Sequence, residues 1–134
     1  EGRLMPIRTR FSTKGFEEAL ERLDQMGKDI DAIADEGLVA AGKVFKAGFD
    51  QRVPVDSGNL RDHLGATDPK RDGDRHFIIV GMLPDTDKDT ARYGTVQEFG
   101  SSKMPAHPYL RPTLDADTRK ARAALKAALE GNLA

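Results

Sequence analysis

The stretch GLVAAGK, residues 37–43, matches the first seven positions of a phosphate-binding loop, whose backbone amides and lysine would cradle a nucleotide. The next position should supply a hydroxyl for magnesium and is Val44, and the stretch sits inside a helical pattern where a strand, a loop and a helix are required. Small residues at a close helix contact account for it better. Asp85, Asp87 and Asp89 imitate the first half of a calcium loop, but the turn glycine is replaced by Thr90 and the bidentate glutamate by Val96. A solvated acidic loop that meets a partner or lines a channel is the reading kept. His63, His76 and His107 share no ligand spacing. Ser57, Ser101 and Ser102 lack a nucleophile-elbow context, and Asp115 and Asp117 suit a helix N-terminus better than an acid–base pair. No catalytic, cofactor-binding or metal-ligating set emerges, and no cofactor is expected.

Totals narrow the classes further. The 134 residues fit one domain, with residues 1–5 as a tag remnant or disordered segment and 131–134 as a frayed tail. Hydrophobic residues make up 38% and aromatics 6%, so the core is modest and neighbouring subunits could help to stabilise it. A net charge of −1 argues against a dedicated phosphate-backbone binder. Without cysteine there is no disulfide framework, and no apolar run approaches a membrane span. A soluble intracellular product is expected. The first fourteen residues carry Arg3, Arg8, Arg10 and Lys14 against Glu1, whereas residues 15–52 carry nine acids against five bases. That polarity suits attraction between subunits better than DNA readout.

These features need elements to hold them. IRTRFS (7–12) alternates as a half-exposed edge strand guarded by Arg8 and Arg10. Three-and-four spacing then runs from Lys14 to Arg52, with Thr13 as N-cap and Glu17 and Glu18 in the first turn. A straight helix over that span would measure about 57 Å, against a radius of gyration of about 14 Å for the domain. A kink or break near Gly27 or Gly37, or a protruding helix, is expected. Pro54 ends it, and a short helix runs from Gly58 to Leu64. RHFIIVGML (75–83) reads as a central strand, with Ile78, Val80 and Met82 on one face, paired with 64–68 through a turn at Gly73. Residues 84–92 form a polar excursion, YGTVQEF (93–99) is ambiguous, and a closing helix from Thr113 carries Asp115 and Asp117 in its first turn and ends at Gly131. The fold class is α+β, a small antiparallel sheet packed by a long N-terminal helix and a C-terminal helix.

One loop resists the label. EFGSSKMPAHPYLRP (98–112) holds Pro105, Pro108 and Pro112, with apolar anchors at Phe99, Met104, Tyr109 and Leu110. Its prolines lower the entropy of holding an extended shape, yet no catalytic group accompanies them.

The order of pieces resembles the small tail-component family of long-tailed bacteriophages, the head–tail joining or tail-completion proteins of the neck. In that family a "vPvdTGnLr" stretch precedes "vEfGt…P…PflrpA". VPVDSGNLR matches the first through Pro54, Asp56, Gly58 and Leu60, with Ser57 in place of Thr; Glu98, Phe99, Gly100, Pro105, Pro108, Leu110, Arg111 and Pro112 match the second. Tyr109 replaces the usual Phe, and Thr113 the usual Ala. The resemblance implies a non-enzymatic virion protein, made in the host cytoplasm and placed in the neck. It would form a hexameric ring between a head-closure or adaptor protein and the tail terminator or tail tube, with DNA passing through the lumen and no membrane contact. Tail termination or head closure is the near alternative. A nucleic-acid-binding regulatory domain, marked by a basic face, and a small hydrolase or metal enzyme, marked by a pocket of convergent titratable groups, come from other classes. Gly100 is expected to take a positive φ, and Glu98 and Arg111 to clamp the loop. Met104, His107, Tyr109 and the loop with Asp85, Asp87 and Asp89 are the candidate subunit contacts.

Overall fold

A computed structural model describes residues 7–54 and 58–133 of the chain. Asp56 and Ser57 of the first motif, segment 1–5 and the last tail residue lie outside the described residues. The order is β1 (Arg8–Ser12), α1 (Glu17–Gln25), α2 (Ile30–Arg52), α3 (Gly58–Asp62), β2 (Leu64–Ala66), β3 (Lys70–Asp72), β4 (Arg75–Met82), α4 (Lys88–Phe99) and α5 (Leu110–Gly131). This is the expected α+β architecture, with a small antiparallel sheet and a long helix pair.

The long helical pattern breaks at Gly27, one of the two expected places. Gly27 takes φ +77; its N–H donates to Asp24 O at 2.9 Å, and the Lys28 N–H donates to Leu23 O at 3.0 Å. These two bonds satisfy the last carbonyls of α1 in a left-handed cap. Asp29 then caps α2 by accepting from the Ala32 N–H at 3.1 Å. Gly37 stays helical because Leu125 of α5 needs its room: a Cβ there would lie 2.5 Å from Leu125 Cδ1. Gly42 meets Ala66 of β2 instead. The apparent phosphate loop is therefore a place where α2 touches α5 on one side and the sheet on another.

Thr13 does not cap α1. Its N–H extends the β1–β4 ladder to His76 O at 3.1 Å, and its carbonyl accepts the Phe16 N–H at 2.9 Å as the chain turns. α1 starts after Phe16, with Glu17 and Glu18 in its first turn as expected. α3 stops at Asp62, short of Leu64, because Leu64 is drawn into pairing with Met82.

β4 is the centre of the sheet, flanked by β1 on one side and by β2 and then β3 on the other. Ile78, Val80 and Met82 are fully buried on one face and join Phe11, Leu38, Phe45 and Phe49 in the core. The Phe11 and Phe45 rings meet edge to face at 5.4 Å. On the other face the Arg10 guanidinium lies 3.9 Å from the Phe77 ring centre. Arg8 Nε donates to Met82 O at 2.8 Å. The arginines of the edge strand thus also cover their own sheet.

Sequence and structure differ at α4 and α5. The polar excursion is short, since α4 already begins at Lys88 and the ambiguous YGTVQEF is helical. Its buried side holds Thr90, Gly94, Gln97 and Glu98 in place of an apolar stripe, which hides the helical period. α5 begins at Leu110, so Pro112 stands in its first turn, where a missing N–H is tolerated. Asp115 and Asp117 fall one turn later. Asp115 is exposed, while Asp117 is buried and pairs with Arg52 at 2.9 Å.

His76 stitches the β3–β4 hairpin to α2. Its Nδ1 lies 2.7 Å from Asp35 Oδ1 and its Nε2 2.9 Å from Asp31 Oδ1, with Arg71 reaching Asp31 at 3.4 Å. His76→Leu is expected to lower stability by about 1–2 kcal/mol. The loss is limited because Asp31 and Asp35 are half-exposed and can turn to water. An unchanged Tm in thermal unfolding would show that the stitch contributes nothing.

Candidate functional site

α4 delivers the second motif. Asp87 caps α4 by accepting from the Thr90 N–H at 3.0 Å, and this bond with the Thr90 hydroxyl holds its carboxyl below the usual range. The calcium-loop look-alike is thus partly a helix start: Asp87 caps, and Asp85 and Asp89 are exposed. No His/Asp/Glu group among the described residues is arranged to hold a metal ion. At the far end Gly100 takes φ +77 as expected, and a Cβ there would stand 2.8 Å from Ala106 N. The chain then folds tightly, with the Ser101 N–H donating to Met104 O at 2.9 Å and the Lys103 N–H to Ser101 Oγ at 3.2 Å. The His107 N–H returns to Gln97 O at 2.6 Å. Ser101, Ser102, Lys103, Pro105, Ala106, His107 and Pro108 are exposed, and Met104 is half-buried.

Glu98 fastens this connector from beneath. Its carboxylate has no exposed surface. Oε1 accepts the N–H groups of Tyr109 at 2.8 Å and Leu110 at 2.7 Å, and Oε2 accepts the Arg111 N–H at 3.0 Å and its Nε at 2.8 Å. Arg111 Nη2 also donates to Glu98 O at 2.7 Å. A carboxylate from α4 therefore caps α5, satisfying amides that would otherwise be orphaned beside the positive end of that helix. Burial pushes the Glu98 carboxyl up, but the hydrogen bonds of Leu110, Arg111 and Tyr109 outweigh it and hold the group below its usual 4.5. The expected clamp between Glu98 and Arg111 is present in geometry, and it is larger than a single ion pair.

Tyr109 does not fit the role of exposed contact. It is 1% exposed, and its hydroxyl donates to Gly94 O at 2.9 Å. Burial, then the nearby Glu98 charge, pushes the phenol well above its usual range. The two motifs meet at this point: a Cβ on Gly94 would lie 2.9 Å from Leu60 Cδ1 and 3.0 Å from the Tyr109 hydroxyl. Asn59 donates to the Thr90 hydroxyl, joining α3 to the start of α4. Pro54 is half-buried and Gly58 exposed. Phe99 is half-buried with the Arg111 guanidinium 4.8 Å from its ring centre, and Pro112 is half-buried in the first turn of α5. Sequence reasoning missed Gly94, Gln97 and Thr90. The Gly94 spacing of four from Glu98 is the one signal that could have found them, since it places both on one side of a helix.

The remaining candidates stay apart. His63 Nδ1 lies 2.8 Å from Asn59 O, and His76 lies on the other side of the sheet centre among carboxylates. The groove beside His76 is lined by Leu20, Ile30, Asp31, Ala34, Arg71, Gly73 and Asp74, with no serine, threonine, cysteine or lysine among them, and its Asp31 is paired with His76 and Arg71. No helix among the described residues is long and apolar enough to cross a membrane. No curated protein and no solved structure matches the chain. A family model does: the one described as "Bacteriophage HK97-gp10, putative tail-component" matches residues 17–100, from the start of α1 through Gly100, with the connector beyond Gly100 outside the match. Covering more than half of the chain, that match makes the protein a member of the HK97-gp10-like family of bacteriophage tail components.

Proposed function

We propose that this tail component is a non-enzymatic tail-completion protein of the phage neck. It forms a ring, hexameric by preference, that joins the head-closure complex to the tail terminator or tail tube and leaves a lumen for DNA. The observation that carries this reading is the connector, an exposed segment whose far end is fastened by a buried carboxylate that accepts the Tyr109 and Leu110 N–H groups. A segment ordered before it meets its partner loses little entropy on binding. Met104, His107 and the exposed acids Asp85 and Asp89 are the contacts proposed with neighbouring rings. The motif residues Pro54, Gly58, Leu60, Glu98, Phe99, Gly100, Pro108, Leu110, Arg111 and Pro112 serve the fold that presents them.

A DNA-binding reading has less support. The basic residues around the sheet are largely neutralised within the chain: Arg10 pairs with Asp72 at 3.4 Å, Arg71 with Asp31 at 3.4 Å and Arg75 with Glu17 at 3.5 Å. A near-neutral chain suits a conduit that does not grip its passenger, and tight, salt-sensitive DNA binding by the isolated ring would refute that.

Deleting the gene in its phage tests the role. DNA-filled heads beside separate, completed tails in electron micrographs are the expected result. Heads that lose their DNA would point to head closure, tails of uncontrolled length to tail termination, and normal virions would refute the proposal.

A further inference from the structure

α2 and α5 run antiparallel: Gly37 faces Leu125 and Ala128, while Gly48 faces Thr113 and Asp117. The connector leads into Leu110 and so stands at the end of the pair where α2 finishes. α1 stands at the opposite end, where its Ala19 and the preceding Phe16 line a groove with Ala123 and Leu129 of α5 and Leu133 just beyond it. The 23 residues of α2 set these ends about 35 Å apart.

The two ends differ in charge. Between residues 99 and 114 the formally charged side chains are Lys103 and Arg111; Arg111 is paired with Glu98, so the exposed Lys103 gives the connector its positive charge. Residues 17–29 carry five acids against Arg22 and Lys28, and among them Glu18, Glu21, Asp24 and Asp29 are exposed. Beside them Met26 is 49% exposed, an apolar side chain within an acidic rim.

We propose that the connector of one copy docks on the α1 end of the next, with Lys103 against Glu21 and Asp24, and Met104 and Pro105 against Met26. This inference rests on the ring reading and names the contact that builds it. Two different surfaces meet, so the contact repeats head to tail and closes into a ring when the rotation allows. Pairing of like ends is opposed by their charge.

The chain has no cysteine, so Lys103→Cys with Glu21→Cys introduces the only thiols. A disulfide needs Cα atoms within about 7 Å, which the two ends of one copy cannot supply. Oxidation of the assembled double variant is expected to give a ladder of covalent multimers, whereas either single variant stops at dimers. In sedimentation velocity, Lys103→Glu and Glu21→Lys are each expected to weaken assembly by about tenfold, and the two together to recover it. Rings that form normally with either single reversal, and a cysteine pair that stays uncrosslinked, would overturn the contact while leaving the ring intact. A chain present in the virion as a monomer would overturn both.

Discussion

Glu98→Ala is expected to lower stability by about 3–5 kcal/mol, the range for removing one partner of a buried charged pair. The loss exceeds that of one ion pair because the Tyr109 and Leu110 N–H groups both end on Oε1 and are buried. Without it they remain desolvated and unpaired. Arg111 is 52% exposed on its side chain and can turn to water, so it contributes the smaller part. Glu98→Gln keeps the shape and one acceptor and should cost less. Urea unfolding at neutral pH measures both variants. The sign of the pH dependence follows from the shift. The folded-state pKa lies below the ordinary 4.5, so the stabilisation is fully present above that value and is lost as pH falls through the folded pKa. Glu98→Gln should therefore flatten the acid limb of the stability curve below about pH 4.5. A wild-type curve and a variant curve that stay parallel there would show that the carboxylate is not what holds the connector.

Much of this fold is legible in the sequence, and the failures have a common cause. β4 is readable because Ile78, Val80 and Met82 alternate in a run long enough to show the period. A break near Gly27 or Gly37 is readable because a straight helix from Lys14 to Arg52 would outrun the domain, and the structure chooses Gly27, where a left-handed cap is followed by Asp29 as N-cap. α4 is obscured because its buried side is polar: Thr90, Gln97 and Glu98 lie there, and Thr90 and Glu98 bond to neighbours that no periodicity reveals. The start of α5 is obscured for a related reason. Its amides are capped by Glu98, which stands on another helix, so the usual local signal before Leu110 is missing and Asp115 looks like the beginning. The clamp itself can be anticipated from the charges of Glu98 and Arg111. Its backbone acceptor role cannot, because it depends on Gly94 letting α4 come close to Leu60 and Tyr109.

Gly48→Ala tests the other polar inclusion, where α2 crosses α5. In an exposed helix interior this change gains about 1 kcal/mol from propensity alone. At this crossing the new Cβ would stand 2.1 Å from Asp117 Oδ2 and 2.8 Å from Thr113 Cγ2. Asp117 cannot simply swing away, since Arg52 Nη1 holds Oδ2 at 2.9 Å and also reaches Thr113 Oγ1 at 3.3 Å. The Thr113 hydroxyl in turn donates to Tyr109 O at 2.7 Å, so the pair supports the turn of α5 that Glu98 caps. Gly48→Ala is therefore expected to destabilise by about 3 kcal/mol, by displacing a buried carboxylate from its partner. In an Asp117→Ala background the Thr113 methyl at 2.8 Å and Arg52 Nη1 at 3.1 Å still obstruct, but Nη1 is the far end of a flexible side chain released from its carboxylate, so the same change should cost less than about 1 kcal/mol or become favourable. The coupling in that double-mutant cycle, measured by urea unfolding, is the discriminating quantity. Effects that add within about 0.5 kcal/mol would mean that Gly48 is required by something other than Asp117. A large coupling would show that the glycine exists to admit a charge, and that the connector is tied through Tyr109, Thr113 and Arg52 to the longest helix of the fold.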